Sequence, residues 1–169
     1  MSQYSGESVW NLFEKNLAQA KKNLSNVSVF CGREPSFSGL SGWVYEQTVQ
    51  YCIRRELKAF GIKADIQEQL SLVGRAKADL AVNRVAIEIK SRGLFGMTNG
   101  DFQRHRKYQK AAKAKGYNYV FVTSGEGSQI YRRGIIRALG HKNVFFLDKA
   151  GDWSRLIHLL VLRKKSDQT

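Results

Sequence analysis

Apolar residues recur every three or four positions in several segments, the spacing that places them on one face of a helix. In the first such segment Val9, Phe13 and Leu17 share a face. The second ends at Gly61, a residue suited to the left-handed conformation that follows a helix. The helices are predicted over residues 7–24, 40–60, 101–115, 129–139 and 153–163.

Segments rich in β-branched and aromatic residues alternate with these helices and predict strands. Residues 25–42 contain the only proline, Pro35, and are expected to form a short strand followed by a loop. The other strands are predicted over residues 62–72, 78–82, 85–91, 117–123 and 143–147.

From the second helix onward the order is α-β-β-β-α-β-α-β-α, which predicts an α/β fold. We expect a mixed β-sheet flanked by helices, with an antiparallel meander at its front and crossover-connected strands behind it. The chain of 169 residues has no internal repeat and no linker, so residues 1–169 are expected to form a single domain. In it, helix 7–24 packs on a core of about residues 40–150.

The strands over residues 78–82 and 85–91 form the most informative stretch. A two-residue turn at Asn83 and Arg84 would place Asp79 opposite Glu88. Because side chains alternate along a strand, Lys90 points to the same face as Glu88. Two facing carboxylates repel one another, and a hard divalent cation beside Lys90 would neutralise them. The register expected before them pairs Val82 with Val85, Ala81 with Ala86, and Leu80 with Ile87.

A further acid is expected near these residues. Counting back three positions from Val49 reaches Glu46, which therefore lies on the inward face of the second helix, near its N-terminal end. An acid at that end also interacts favourably with the helix dipole, which is an alternative reason for its presence. Glu68, on the preceding strand, is the competing candidate.

The chain carries 28 Lys and Arg residues against 14 Asp and Glu residues, a formal net charge of +14. This balance predicts a polyanionic partner, with nucleic acid the leading candidate and a solvated surface the alternative. The expected nucleic-acid-binding residues flank the acidic cluster or lie on helix 101–115, where residues 106, 110 and 113 share a face. They are Arg75, Lys77, Arg92, Arg104, Arg106, Lys107 and Lys110.

Several other classes of protein are disfavoured. Cys31 and Cys52 lack the spacing of a zinc site, and His105 and His141 lack metal or triad partners, so both histidines are expected to be structural or surface residues. A phosphate-binding GxxxxGK loop is absent. With no secretory leader and no long apolar stretch, the protein is expected to be cytoplasmic, without a membrane partner.

Asp79 followed by Glu88-Ile89-Lys90 resembles the signature of the PD-(D/E)xK nuclease superfamily, an acid and then ExK on the next strand. Ala78 stands where the superfamily often has proline. An acid on the preceding helix is a further element of that pattern. The resemblance spans about residues 40–123 and implies a restriction-endonuclease-like core (αβββαβ) with additional C-terminal α/β elements.

The resemblance also implies roles for single residues. Asp79 and Glu88 would hold Mg²⁺, or Mn²⁺ in its place, with the Ile89 carbonyl as an extra ligand. Lys90 would position the attacking water or help to deprotonate it, and Glu46 would serve a second ion or its water shell.

The implied function is that of a metal-dependent endonuclease acting on DNA, of the junction-resolving, repair, mobile-element or restriction type. Cutting both strands at one place would favour a homodimer. A basic nucleic-acid-binding protein without catalysis, and a nuclease acting on RNA, are the alternatives.

Overall fold

The computed structural model describes residues 2–25, 37–91, 97–125 and 128–166. Five helices and five strands lie in these parts of the chain, in the order expected from the sequence. A short 3₁₀ helix, His141–Asn143, precedes the last strand. The elements are α1 (Gly6–Ser25), α2 (Phe37–Ala59), β1 (Ile66–Val73), β2 (Ala76–Val82), β3 (Val85–Lys90), α3 (Asn99–Ala114), β4 (Asn118–Thr123), α4 (Gln129–Leu139), β5 (Val144–Phe146) and α5 (Asp152–Ser166).

The strands form one mixed sheet in the order β1-β2-β3-β4-β5. Strands β1, β2 and β3 are antiparallel neighbours, whereas β3, β4 and β5 run parallel to one another. The meander at the front and the crossover strands behind it are therefore confirmed, as is the α/β class. The carboxyl ends of β3, β4 and β5 meet at one edge of the sheet.

Helices cover both faces of this sheet. On one face, Leu80, Ile87 and Val120 pack into a buried cluster with residues of α1, α2 and α5. On the other face, Ala86 and Phe121 pack with residues of α3 and α4. Within the described ranges, none of the helices has the length and apolar character needed to cross a membrane.

The hairpin between β2 and β3 forms as predicted. Asn83 and Arg84 have positive φ angles of 47° and 61°, the conformation that a tight two-residue hairpin turn requires. The Asn83 side chain accepts the Asp65 N–H at 2.9 Å and donates to the Leu160 carbonyl at 3.0 Å, so it joins the turn to α5. The three pairs Val82–Val85, Ala81–Ala86 and Leu80–Ile87 have the expected register.

Some predicted boundaries were wrong. Helix α2 begins at Phe37, so residues 37–42 are not a loop, while residues 26–36 of that prediction lie outside the described part of the chain. Ser41 is buried in this segment, and such packing stabilises a helix even where glycine lowers its intrinsic propensity. Phe60, the last residue of the helix predicted over residues 40–60, follows the end of α2 and is 43% exposed.

The first sheet strand also starts later than predicted. Residues 62–65 lie outside β1, which begins at Ile66. The Ile62 N–H donates to the Leu57 carbonyl at 2.9 Å, so this residue still completes the end of α2 rather than pairing with β2.

The buried Glu56 of α2 holds the start of the chain against the core. Its carboxylate accepts the main-chain N–H groups of Gln3 at 3.0 Å and Tyr4 at 2.8 Å, the Ser2 hydroxyl, and the Trp153 indole N–H at 3.2 Å. Burial alone would raise the pKa of Glu56, but these hydrogen bonds hold it below its ordinary value. The carboxylate therefore connects the N-terminal segment, α2 and α5.

Candidate active site

Strands β2 and β3 bring Asp79 and Glu88 together at the end of the hairpin remote from its turn. The main-chain register stops at Leu80 and Ile87, so the predicted direct pairing of Asp79 with Glu88 is not part of it. Instead, the Asp79 carboxylate Oδ2 accepts the Ile89 N–H at 2.7 Å. This bond fixes the Asp79 side chain beside the strand that carries Glu88.

Glu88 is an ionisable group in a buried position, with only 8% of its side chain exposed. Its Oε1 lies 2.8 Å from the Lys90 Nζ. Its Oε2 is buried and has no hydrogen-bond partner among the described residues. Burial raises the pKa of Glu88. The positive charge of Lys90 lowers this pKa, and the negative charge of Asp79 raises it. One carboxylate oxygen is therefore left without compensation.

The pKa values of Asp79 and Lys90 are shifted by the same surroundings. Burial raises the pKa of Asp79, although the Lys90 charge and the hydrogen bond from Ile89 oppose this rise. Partial burial alone would lower the pKa of Lys90, but the negative charges of Glu88, Asp79 and Glu46 raise it. Lys90 is thus held as a cation.

Helix α2 adds Glu46 to this group. Burial raises the pKa of Glu46 to about 7, and repulsion from Asp79 and Glu88 contributes to the rise. The Gln50 amide, one turn later on the helix, donates to Glu46 Oε1 at 3.0 Å. Because α2 begins at Phe37, nine residues earlier, Glu46 lies well beyond the first turn, where the helix dipole acts. The helix dipole therefore does not explain this acid.

The competing acid, Glu68, lies elsewhere. Its side chain is 68% exposed on β1, and its Oε1 is paired with the Arg54 Nη2 at 2.6 Å. Of the two candidates for the additional acid, the structure brings only Glu46 to Asp79 and Glu88. Glu46, Asp79, Glu88 and Lys90 are called the acidic cluster below.

The acidic cluster has the donors that a hard divalent cation prefers. Its three carboxylates outnumber its single ammonium group, which leaves an excess of negative charge. No group of three or more His, Cys, Asp or Glu side chains in the described ranges has the arrangement of a complete metal site. Mg²⁺, however, is commonly held by one or two carboxylates together with water. Asp79, the unpartnered Oε2 of Glu88 and the Ile89 carbonyl fit that mode.

A buried polar pair lies beneath the cluster and was not predicted as part of its surroundings. His105 of α3 is 3.0 Å from the Tyr119 hydroxyl through its Nδ1. Burial, together with the positive charges of Arg104 and Lys90, lowers the pKa of His105 to about 4. The sequence held a signal for this position, because residue 105 extends the helical stripe of Tyr108 and Ala112 by one turn.

Three of the basic residues expected to bind nucleic acid lie close to this end of the sheet. Arg75 is exposed in the turn between β1 and β2, and Lys77 is exposed at the start of β2. Arg104 of α3 donates to Asp101 Oδ1 at 2.6 Å, and its charge acts on the pKa of Glu88. Arg92 lies outside the described residues.

The basic face expected on α3 is exposed to solvent, but one of its cations is hydrogen-bonded within the structure. Lys107 and Lys110 are exposed. Arg106 instead donates to the carbonyls of Ala138 at 3.2 Å and Arg137 at 3.4 Å. It thereby binds the last carbonyl groups of α4, an interaction that local sequence spacing could not reveal.

No protein-family model, no curated protein and no solved structure matches this chain. Its resemblance to the PD-(D/E)xK superfamily therefore stays a prediction.

Proposed function

We propose that this chain is a metal-dependent endonuclease that hydrolyses phosphodiester bonds of DNA. The observation that carries the proposal is the buried Glu88 carboxylate, which has one oxygen on Lys90 and the other without a partner, beside Asp79 and Glu46. An uncompensated buried carboxylate oxygen is costly. A bound divalent cation would remove that cost and explain why the acids are kept together.

The order of elements supports a restriction-endonuclease-like core. Helix α2, strands β1 to β3, helix α3 and strand β4 follow the αβββαβ order of that core. Helix α4, strand β5 and helix α5 then form the additional C-terminal elements. The acidic cluster lies on α2, β2 and β3, as the superfamily pattern implies.

The residues of the cluster divide the chemistry among them. Asp79, Glu88 and the Ile89 carbonyl would hold Mg²⁺ or Mn²⁺, which supplies charge to polarise the phosphate and to acidify bound water. Lys90 stays protonated, so it orients the water and offsets the negative charge that develops on the phosphate. Glu46 has a pKa of about 7, the range in which a carboxylate accepts a proton efficiently at neutral pH.

The basic surface supports a nucleic-acid substrate. A net charge of +14 favours phosphate contacts through counterion release. Arg75, Lys77 and Arg104 surround the end of the sheet where the cluster lies, while Lys107 and Lys110 extend the positive surface along α3. Phosphate contacts of this kind position a strand without reading its sequence.

The proposed assembly is a homodimer. A chain with one acidic cluster hydrolyses one strand at a time, so cutting two antiparallel strands at one place calls for two copies related by a two-fold axis.

The test compares the wild-type protein with Lys90→Ala and Asp79→Ala on supercoiled plasmid, linear duplex, single strands, a four-way junction and RNA. Each substrate is incubated with Mg²⁺, with Mn²⁺ or with chelator. The wild-type protein should produce new ends only when a divalent cation is present, and loss of Lys90 should slow cleavage by about a hundredfold or more. Glu68→Gln is the matched control, because it changes an exposed carboxylate outside the cluster.

Circular dichroism and binding to a labelled strand establish that the variants remain folded and bind. Cleavage that is lost in both variants but kept in Glu68→Gln supports the acidic cluster as the active site. Tight binding without cleavage of any substrate, even with Mn²⁺, would contradict the proposal in favour of a non-catalytic binding protein. Preferential cleavage of RNA would correct the substrate while leaving the active site in place.

A further inference from the structure

Exposed aromatic and basic side chains form a row along α2. Trp43 is 60% exposed and Tyr51 is 50% exposed, although tryptophan and tyrosine usually bury most of their rings. Gln47 lies between them and Arg55 follows them at the same four-residue spacing, both exposed. Residues four positions apart are neighbours on a helix surface. With the exposed Lys58 one turn later, these five residues are called the α2 ridge.

The α2 ridge begins at the acidic cluster. The C-terminal end of α2 lies near the hairpin turn. Asp65, in the segment that follows α2, donates its N–H to the Asn83 side chain of that turn. Glu46 lies at the opposite end of the hairpin, with Asp79. The helix therefore runs from the cluster towards the turn. Trp43 precedes Glu46 by three residues, about 5 Å along the helix axis, and so lies at the outer border of the cluster.

The chemistry of the α2 ridge fits a strand of nucleic acid with exposed bases. Trp43 and Tyr51 are two helical turns apart, about 12 Å along the axis, and offer flat rings on which unpaired bases can stack. Arg55 and Lys58 offer positive charge to the phosphates of the same strand. A continuous duplex hides the faces of its bases, so it could use only the two cations.

Charge also favours nucleic acid over a second copy of the chain as the partner of the α2 ridge. A second copy bound through the same α2 ridge would bring Arg55 and Lys58 again and no acidic partner for them, in a protein that already carries a charge of +14. Like charges brought together at an interface oppose association. A polyanion meets no such repulsion.

We propose that the α2 ridge binds an unpaired strand of the substrate next to the acidic cluster, with Trp43 stacked on a base. The preferred substrate is then a single-stranded or branched nucleic acid rather than a continuous duplex. This inference rests on the proposed function for the cleavage step, but binding to the α2 ridge needs no metal and is measured without cleavage.

The test measures binding of the whole chain, in chelator, to a fluorescein-labelled thymidine oligonucleotide and to a labelled hairpin duplex. Trp43→Ala should weaken binding to the single strand by about fivefold or more, the usual effect of losing one stacked base, and should leave duplex binding nearly unchanged. Trp43→Phe keeps an aromatic ring and should retain most of the affinity. Phe60→Ala, which removes another exposed ring just beyond the far end of α2, is the matched control and should have no effect.

Intrinsic fluorescence gives a second readout. The chain has three tryptophans, Trp10, Trp43 and Trp153, of which Trp153 is buried and Trp43 is the most exposed. Unlabelled oligonucleotide should quench an emission component of the wild-type protein, and Trp43→Phe should lack that component while still binding. Quenching that persists in Trp43→Phe would place the base elsewhere and overturn the inference.

The remaining outcomes separate this inference from the proposed nuclease activity. Equal single-strand affinity of the wild-type protein and Trp43→Ala, with cleavage intact, overturns the inference and leaves the nuclease proposal standing. Loss of single-strand binding in Trp43→Ala, with no cleavage by the wild-type protein, supports the inference and contradicts the nuclease proposal. A change in molar mass of Trp43→Ala in light scattering would assign the α2 ridge to contact between copies and overturn the inference.

Discussion

Replacement of Glu46 by Gln should stabilise the protein in the absence of metal while it impairs cleavage. Glu46 has its pKa raised from 4.5 to about 7, which means that the folded state disfavours the charged form. Between these pH values the folded chain binds more protons than the unfolded chain, so stability falls as the pH rises. Gln keeps the oxygen that accepts from Gln50 but carries no charge.

The size of the effect follows from the same pKa. The full rise from 4.5 to about 7 corresponds to at most about 3 kcal/mol of lost stability above pH 7. Glu46 is partly exposed, and solvent screening reduces this value to about 1–2 kcal/mol. For a chain of this size, such a gain in Glu46→Gln raises the melting temperature by roughly 2–8 °C.

Thermal unfolding in chelator, followed by circular dichroism at about pH 5 and about pH 8, measures the difference. Glu46→Gln should exceed the wild-type melting temperature at the higher pH, and the difference should shrink at the lower pH as Glu46 becomes protonated. Glu68→Gln is the control, since its exposed pair with Arg54 contributes at most about 1 kcal/mol in either direction. A Glu46→Gln protein that is less stable than wild type at the higher pH, or a difference independent of pH, would refute this reasoning.

Four further substitutions test other parts of the structure. Glu56→Ala should lower the free energy of unfolding in urea by about 2–4 kcal/mol, because it leaves the buried Trp153 indole N–H unpaired and removes the acceptor of two main-chain N–H groups of the N-terminal segment. Since folding lowers the pKa of Glu56 from 4.5, this loss should be full above pH 4.5 and should diminish as the pH falls below it towards the lowered pKa of the folded state. Arg106→Ala should cost about 1 kcal/mol of stability through its bonds to α4, whereas Lys107→Ala should instead reduce the salt slope of nucleic-acid binding by about 1. Tyr119→Phe should destabilise the protein by about 1–3 kcal/mol in urea, because it removes the hydrogen-bond partner of the buried His105.

Each of these predictions has an outcome that contradicts it. A Glu56→Ala protein as stable as wild type would show that the N-terminal segment does not pack as described. Equal salt slopes for wild type and Lys107→Ala would remove Lys107 from the phosphate contacts. A Tyr119→Phe protein of wild-type stability would show that His105 finds another partner.

The sequence by itself determined the elements and the centre of the candidate site. The hairpin turn is predicted by Asn83 and Arg84, and the alternation along β3 places Glu88 and Lys90 on one face. Such features follow from the geometry of neighbouring residues, so they can be read without knowledge of the rest of the chain. The helices α3 and α4 were likewise predicted to within two residues at each end.

Only the tertiary structure decided which distant acid lies beside Asp79 and Glu88. Glu46 and Glu68 were both plausible from spacing, and the packing of α2 on the sheet selects Glu46. Packing also places Arg106 where it donates to the last carbonyl groups of α4, and it leaves Trp43 exposed to solvent at the border of the acidic cluster. These outcomes depend on how separate elements are oriented in space, and that orientation is fixed by burial summed over the whole core rather than by any local pattern.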